Sequence, residues 1–556
     1  MSTTLEVKML SSMEKCFLDS DLNQFHEYTE FTVFHNQPLV FQIGVCRYSD
    51  RDYKRLYSVQ LSGELAPYAR VRLVTNLPCE FPCITPHAEG EYLRQTPGLY
   101  PDLLRPLNYQ NGLILMNRQT QALWITAEPL QELPAGIYTL DVAIASPEGT
   151  PYVKKSAHVR VLDQNLPPQK RIHTEWFYTD CLANAYHVPV FSEPHWHIIE
   201  NFMRCAVRNG INMILTPVFT PELDTYIGGE RLTTQLLGIA READGGYTFD
   251  FTQLDRWVAL CRSVGVEYLE IPHFFSQWGS LHAPKIIASV NGTEQQLFGW
   301  QTDSCGEDYK QFLSRMIPAL IARLEALGMK DRIFFHISDE PQISDLAQYR
   351  RCKEMITPYL KNYPIIDALS DFDFYESGAI DKPVPSIMHI QPFLDHRVPG
   401  LWTYYCGDGG ANVTGRMLAM PLSRTRILGV QLYLANIEGF LHWGFNFYNN
   451  QNSYQSINPF LFTDCEHFTP AGDGFLVYPG DNGEAWESLR LNAMREAMED
   501  IRMLELCESV CGREETVALI QEVNGGELTF TDFPTDPGFF IRLRDRVTEH
   551  MEHTGR

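Results

Sequence analysis

The rhythm of apolar and polar positions changes once along this chain. Up to about residue 165 the apolar residues come in short runs, at 31–34, 70–74, 113–115 and 122–127, separated by Pro, Gly and Asn clusters. In Leu133-Pro-Ala-Gly-Ile-Tyr-Thr-Leu-Asp-Val-Ala-Ile-Ala145 a turn feeds a strand. Leu140, Val142 and Ile144 alternate there with Thr139, Asp141 and Ala143, which is the pattern of a half-buried strand. A last strand is expected at 158–162, followed by a Pro-containing linker at 163–170. The pattern predicts an all-β sandwich domain over residues 1–168.

From about residue 171 apolar strand-like runs alternate with stretches of helical spacing. Eight strands are expected, at 173–179, 211–217, 266–272, 332–338, 364–369, 385–390, 401–406 and 439–447. Helices are expected at 196–208, 254–263, 309–327 (kinked at Pro318) and 345–357, with a weaker one at 416–434 that Pro421 interrupts. A long helix is expected at about 486–508. Such alternation means parallel strands with helical crossovers, and eight of them predict a (β/α)8 barrel over residues 169–510. Only residues 391–400 separate the sixth and seventh strands, too few for a full crossover helix, so the expected barrel is a degenerate one. Residues 511–556 read as a charged C-terminal extension with a helix at 539–550.

The fourth barrel strand, Arg332-Ile-Phe-Phe-His-Ile-Ser-Asp-Glu-Pro341, ends in adjacent carboxylates, Asp339 and Glu340. Barrels of this kind carry their chemistry at the C-terminal ends of the strands. The plainer reading has the two acids solvated, or capping the next helix. Other expected strand ends bring Glu175, Trp176, Asp180, Glu270, His273, Trp278, Asp367, Asp371, His389, Gln391, Trp402, Tyr404, Tyr405, Trp443, Asn446 and Tyr448 toward the same mouth. Aromatic faces that meet the C–H face of a pyranose, beside acids and amides that bind hydroxyls, suit a sugar. Each has a plainer counterpart: core packing for the aromatics, and a cap or a satisfied network for the acids.

Composition narrows the classes. With 69 acidic against 45 basic residues the net charge is −24, and no basic stripe is visible, so neither nucleic acid nor an anionic membrane is an expected partner. No run of apolar residues is long enough to span a bilayer and no secretory leader is visible, which with 13 scattered cysteines points to a cytoplasmic location without disulfides. No dinucleotide fingerprint, phosphate loop, zinc motif or nucleophile elbow occurs; Cys406-Gly-Asp-Gly-Gly410 reads as a tight barrel loop, and His195 with His197 is a weak ligand pair. No cofactor and no metal are expected, and the oligomeric state is open.

The sequence resembles glycoside hydrolase family 123 and the related family-123-like catalytic domains. The resemblance rests on Pro97-Gly-Leu-Tyr-Pro-Asp-Leu-Leu104, Leu133-Pro-Ala-Gly-Ile-Tyr-Thr139, His336-Ile-Ser-Asp-Glu-Pro341, Leu401-Trp-Thr-Tyr-Tyr-Cys406, Gly439-Phe-Leu-His-Trp-Gly-Phe-Asn446, Asp473-Gly-Phe-Leu-Val-Tyr-Pro-Gly480 and the helix around residues 489–500. It implies a β-N-acetylgalactosaminidase or other β-N-acetylhexosaminidase with a retaining, substrate-assisted mechanism. Glu340 would be the acid/base, and Asp339 would hold the substrate's acetamido N–H. His273, Trp278, Gln391, Trp402, Tyr404, Trp443 and Asn446 are the expected substrate contacts, and the expected partner is a small oligosaccharide or glycoside. Two other readings stand beside it: a glycosidase with a separate nucleophile such as Asp367 or Glu270, acting on sugars without an acetamido group, and a non-catalytic carbohydrate-binding protein.

Overall fold

A computed structural model describes residues 3–50, 52–84, 92–107, 112–407 and 413–554. Packing divides the chain into two compact units. The first takes in residues 1–169, 410–434 and 486–556, and the second residues 170–409 and 435–485.

In the first unit ten strands form two five-stranded sheets. One sheet has the order β1 (Thr4–Leu10), β3 (Leu39–Tyr48), β8 (Thr120–Ala127), β5 (Ala69–Cys79), β6 (Gly98–Pro106); the other has β2 (Glu30–Val33), β10 (Pro151–Val161), β9 (Gly136–Ala145), β4 (Lys54–Ser62), β7 (Gly112–Met116). Side chains on a strand alternate between its faces, and here the alternation serves two cores. Phe41, Ile43 and Val45 of β3 and Leu123 and Ile125 of β8 meet Val59, Leu115, Leu140, Val142 and Ile144 of the other sheet. On the opposite face Cys46, Ala122 and Trp124 meet Leu422, Ile427, Leu489, Leu504 and Phe540.

Those last residues lie on helices Leu422–Arg426, Leu489–Cys511 and Gly538–Thr554 and, for Ile427, at the break before helix Leu428–Leu434, with Arg513–Asn524 packed alongside. The expected break at 168 lies one residue from the division at 169/170, whereas residues 410–434 and 486–510, expected in the barrel, pack with the first unit, because the first sheet is apolar on both faces and its outer face must be covered. The expected helix at 416–434 begins only after Pro421, which stands at the head of Leu422–Arg426, and it breaks again before Leu428. Helix Arg513–Asn524 was read from sequence only as charged extension.

In the second unit six parallel strands run in the order β18 (Ile333–Phe334), β15 (Tyr268–Glu270), β12 (Met213–Leu215), β11 (Ile172–Glu175), β22 (Gly439–His442), β21 (Trp402–Tyr404). A separate parallel pair joins β19 (Ile366–Ala368) to β20 (Lys382–Val384). Single parallel bridges, Phe335 to Ile365 and Ser386 to Tyr404, link this pair to both ends of the six-stranded sheet. The sixth strand thus precedes the expected 385–390, where Ser386–Ile390 turns into a short helix, Gln391–Asp395. Helix Glu307–Ala326 runs through Pro318.

The sequence reading also missed an antiparallel excursion. β13 (Gly238–Arg241), β14 (Tyr247–Asp250), β16 (Ile286–Val290) and β17 (Thr293–Phe298) form a four-stranded sheet within the connections that follow β12 and β15. The expected loop at 406–410 lies partly outside the described residues. No helix among them is long and apolar enough to cross a membrane.

One buried ion pair within the first unit tests its packing. Arg490 donates from Nε and Nη2 to the two oxygens of Asp102, at 2.9 and 2.8 Å, with both side chains fully buried. Removing one partner leaves a buried charge unmatched, so Asp102→Ala should lose about 3–5 kcal/mol in urea unfolding. A loss below about 1 kcal/mol would contradict this account of the packing.

Candidate active site

The fourth strand of the second unit continues past Phe334 as an extended, pinned segment. On one side the backbone N–H groups of Phe274 and Phe275 donate to the carbonyls of His336 and Ile337 at 3.4 and 3.1 Å, and Trp278 N–H donates to Asp339 O at 3.2 Å. On the other side Ile337 N–H donates to the Asp367 carboxylate at 2.9 Å, and Glu340 N–H donates to Ala368 O at 3.0 Å. The pinning forces Glu340 into the left-handed region, at φ +43°, immediately before Pro341. A non-glycine residue is strained there, and strain of this kind persists where the surroundings over-determine it, as at functional sites. Neither acid caps the next helix, since Gln342 and Asp345 form the capping box themselves.

Asp339 is buried, and burial first, then the charges of Glu340 and Asp224, holds its pKa well above the usual carboxylate range. Gln277 links the acids: its Nε2 donates to Asp339 Oδ2 at 2.9 Å, and its Oε1 accepts the backbone N–H of Asp224 at 2.7 Å. Glu340 Oε1 accepts the Tyr404 hydroxyl at 2.7 Å. Asp224 is pushed up to about 7 by burial, and Arg231 offsets part of this while Glu340 and Asp473 add to it. Arg231 is itself fixed by a two-pronged pair with Asp180, at 2.8 and 2.9 Å.

Asp473 accepts Gly407 N–H at 2.9 Å, the Trp443 indole at 3.1 Å and the Thr469 hydroxyl at 3.0 Å. After burial, the charges of Glu340, Asp473, Asp339 and Asp224 all act on the Cys406 thiol and raise its pKa, so all four carboxylates lie within electrostatic reach of it.

Beneath them lies a charged floor. His336 is fully buried, with Nε2 2.7 Å from Glu270 and Nδ1 3.2 Å from Asp367. Burial works against its charge, but hydrogen bonds and charge from both acids win, and its pKa rises to about 9. Glu270 also accepts the Thr174 hydroxyl and the Trp176 indole, and Asp367 accepts the Tyr349 hydroxyl at 2.7 Å. His273 packs against His336 with ring centroids 4.2 Å apart and the planes tilted by 33°. Neither of its nitrogens has a hydrogen-bond partner among the described residues, and burial holds its pKa well below the usual range. His273, His336 and Asp367 bring potential metal donors together, and both nitrogens of His336 are engaged by carboxylates.

The expected contacts divide. Tyr404 meets Glu340, Trp278 stands half-exposed beside Asp339, and Trp443 is partly exposed on Asp473. His273 belongs to the floor. Trp402 is a correction: it is buried against Phe334 and closely against Gly439, at the start of its strand and so at the end away from Glu340. Asn446 is another, because its amide oxygen and nitrogen are both bonded to the backbone of Tyr178, at 2.9 Å each. Gln391 is exposed at the head of a short helix and bonded to Asp395. Asp371 caps a short helix, and His195 is bonded on both nitrogens to backbone. Glu270 and Asp367, the alternative nucleophiles, are fully buried partners of His336.

Asp224 and Gln277 went unread because each lies on a long loop beyond its strand. The only local signal was that Gln277 sits beside the singled-out Trp278.

The model of the glycoside hydrolase 123 catalytic domain matches residues 176–507, more than half of the chain. Among solved structures, a family 123 glycoside hydrolase from Clostridium perfringens, studied for glycolipid glycan hydrolysis, matches at TM-score 0.74 and 14% identity, over 99% of this chain and 98% of that one. A β-glucuronidase from Parabacteroides merdae matches at TM-score 0.33 and 11% identity, over 89% of this chain and 51% of that one. An endo-β-1,4-mannanase from Thermotoga petrophila matches at TM-score 0.34 and 12% identity, over 61% and 78%. No curated protein matches the sequence.

A fifth acid, Glu222, lies close behind Gln277. Burial raises its pKa to about 8, with only weak relief from the Gln277 backbone, and neither carboxyl oxygen has a hydrogen-bond partner among the described residues. The unfolded chain releases this proton near pH 4.5, so between that pH and about 8 the folded state binds more protons and its stability falls as pH rises. Glu222→Gln removes that share. The melting temperature of the variant relative to wild type should therefore climb by roughly a few degrees from pH 5 to pH 8. A difference that stays flat across this range would contradict the buried, unpaired assignment.

Proposed function

The chain belongs to the glycoside hydrolase 123 family, and from that premise we propose that it is a retaining exo-β-N-acetylhexosaminidase, with N-acetylgalactosamine as the preferred sugar. The observation that carries the reading is the Asp339–Glu340 pair, one acid buried and proton-holding, the other strained and set against Tyr404. We also read the eight parallel strands as a degenerate (β/α)8 barrel, supported by the two single bridges that link β19 and β20 to the larger sheet.

Burial first, and then the charge of Glu340, raise the Asp339 pKa well above the usual carboxylate range. In the free protein this favours the protonated form of Asp339. An acetamido N–H donated to Asp339 favours its ionised form, and Glu340 is the acid that supplies the proton to the leaving group. The acetamido carbonyl oxygen then bonds to the anomeric carbon as the glycosidic C–O bond breaks, and Glu340 protonates the departing oxygen. Water next attacks the anomeric carbon and gives a proton to Glu340. The oxazolinium ring opens, and β stereochemistry is retained.

The alternative with a separate nucleophile loses its two named residues, because Glu270 and Asp367 are sealed against His336.

Hydrolysis of matched chromogenic β-glycosides of N-acetylgalactosamine, N-acetylglucosamine and galactose tests the reading. Turnover should be confined to the acetamido sugars, and Glu340→Gln should lower kcat by about 10²–10⁴-fold. Good turnover of the plain galactoside would overturn the substrate-assisted step. Binding of the acetamido sugars with no turnover would favour the carbohydrate-binding reading.

A further inference from the structure

The three C-terminal helices of the first unit bring a thiol, a carboxylate and an imidazole together. Cys511 is the last residue of Leu489–Cys511, Glu515 lies in the first turn of Arg513–Asn524, and His550 lies on Gly538–Thr554. One donor atom from each of these residues lies within 4.8 Å of the other two.

Local structure explains the meeting. Gly512 stands between the first two helices at φ +87°, a conformation that glycine holds without strain, so one helix ends at Cys511 and the next begins at once. The Thr516 hydroxyl donates to Gly512 O at 2.9 Å and stands 3.5 Å from Cys511 Sγ. The third helix is tied to the second by Arg546, whose Nε and Nη2 donate to the two oxygens of Glu522 at 2.9 and 3.1 Å. One turn further on, His550 Nε2 lies 3.0 Å from Glu515 Oε1 and 3.4 Å from Thr554 Oγ1.

A second thiol adjoins the first. Cys507 Sγ is 3.5 Å from Cys511 Sγ, one helical turn before it. Two sulfurs bound tetrahedrally to one zinc ion stand about 3.8 Å apart, and a nitrogen and an oxygen about 3.3 Å apart. The observed pairs, at 3.5 and 3.0 Å, are close to both spacings. Calcium and magnesium take oxygen donors, whereas thiolate and imidazole suit zinc and its neighbours among the late transition metals. An ion pair of His550 with Glu515 alone makes no use of the thiol held beside it, and with Glu515 half-exposed it adds little stability. Cys511 and Glu515 are both partly exposed, which leaves the group open to an entering ion.

We infer that Cys511, Glu515 and His550 form a binding site for a zinc-class divalent ion, with Cys507 as the adjoining sulfur. On binding, Cys511 releases to solvent the proton it donates to Cys507 O at 3.1 Å. The thiolate, the neutral imidazole and the carboxylate then each give a lone pair, and the oxidation state of the ion does not change. Because its donors come from three helices, a bound ion ties Gly538–Thr554 to the two helices before it. No short zinc motif marks the site in the sequence, because His550 comes 35 residues after Glu515. The inference is independent of the glycosidase reading.

The test titrates the full chain, freed of metal with a chelator and carrying no affinity tag, with zinc by calorimetry and with cobalt(II) by absorption. Wild type should bind about one zinc ion with a Kd of about 1 μM or below, and its melting temperature should rise by roughly a few degrees. Cobalt(II) should give the sulfur-to-metal charge-transfer band of a thiolate site. Millimolar calcium should leave the melting temperature unchanged. Cys511→Ser and His550→Ala should each weaken zinc binding at least about ten-fold, while Cys305→Ser, in the second unit, should leave it as in wild type. Absence of zinc binding by wild type at about 100 μM, a cobalt spectrum without the sulfur band, or an affinity unchanged in either ligand variant would overturn the site. The first two outcomes are read on wild type, so they hold even if a variant fails to fold.

Discussion

The acidic mouth depends on one buried cation. His336 is fully buried between Glu270 and Asp367, and those two acids, acting against its burial, raise its pKa to about 9. A neutral imidazole there would leave two buried carboxylates balanced only by hydrogen bonds from Thr174, Trp176, Tyr349 and the Ile337 N–H, a costly arrangement. The same positive charge partly opposes the burial and repulsion that raise the Asp339 pKa. The floor is closed above and below by other members of the network, with Trp176 and Thr174 on Glu270, Tyr349 on Asp367 and His273 packed against the ring. Every floor acid is thus engaged within the network.

Those loops share a common design. Gln277 joins Asp339 to the backbone of Asp224, Ser453 holds the Asp224 carbonyl, and Tyr404 holds Glu340. Each acid is positioned by an element other than its own, which makes the arrangement rigid although much of it is loop. The strained backbone of Glu340 fits this view, since its N–H is fixed to Ala368 on the neighbouring strand. A left-handed glutamate before a proline stands only where neighbours hold it.

Much of the fold was legible because each element has a simple period. In the second sheet of the first unit, strands such as β7 and β10 alternate, and the strands of the second unit are short apolar runs. Tyr309, Phe312, Met316, Leu320 and Leu324, at helical spacing, are all buried in Glu307–Ala326. The failures have physical causes. Ile387 and Ile390 read as a strand, but they are buried in a turn and at a helix head, and the pairing falls on Lys382–Val384. The helices of residues 410–434 and 486–556 go with the sandwich because its first sheet is apolar on both faces, a tertiary fact that no local period carries. Of the candidate site, Asp339, Glu340 and Tyr404 were legible as polar groups at strand ends. Trp402 and Asn446 were misread because residue type does not reveal which end of a strand faces the mouth, or whether an amide is already saturated by backbone. Asp224 lies nine residues beyond the end of β12 and Asp473 lies in the turn before the short strand Val477–Pro479, so neither follows directly on a barrel-like strand.

The central claim is that the substrate's own acetamido oxygen is the nucleophile, with Asp339 orienting it. The most direct measurement is kcat/KM for aryl β-N-acylgalactosaminides whose acyl group is acetyl, fluoroacetyl, difluoroacetyl or trifluoroacetyl. Each fluorine weakens the carbonyl oxygen as a nucleophile while barely changing the size of the group. The account predicts a steep fall along the series, by orders of magnitude from acetyl to trifluoroacetyl, as expected when that oxygen bonds to carbon in the transition state. A flat series would contradict it, and would mean that a protein carboxylate attacks the sugar instead.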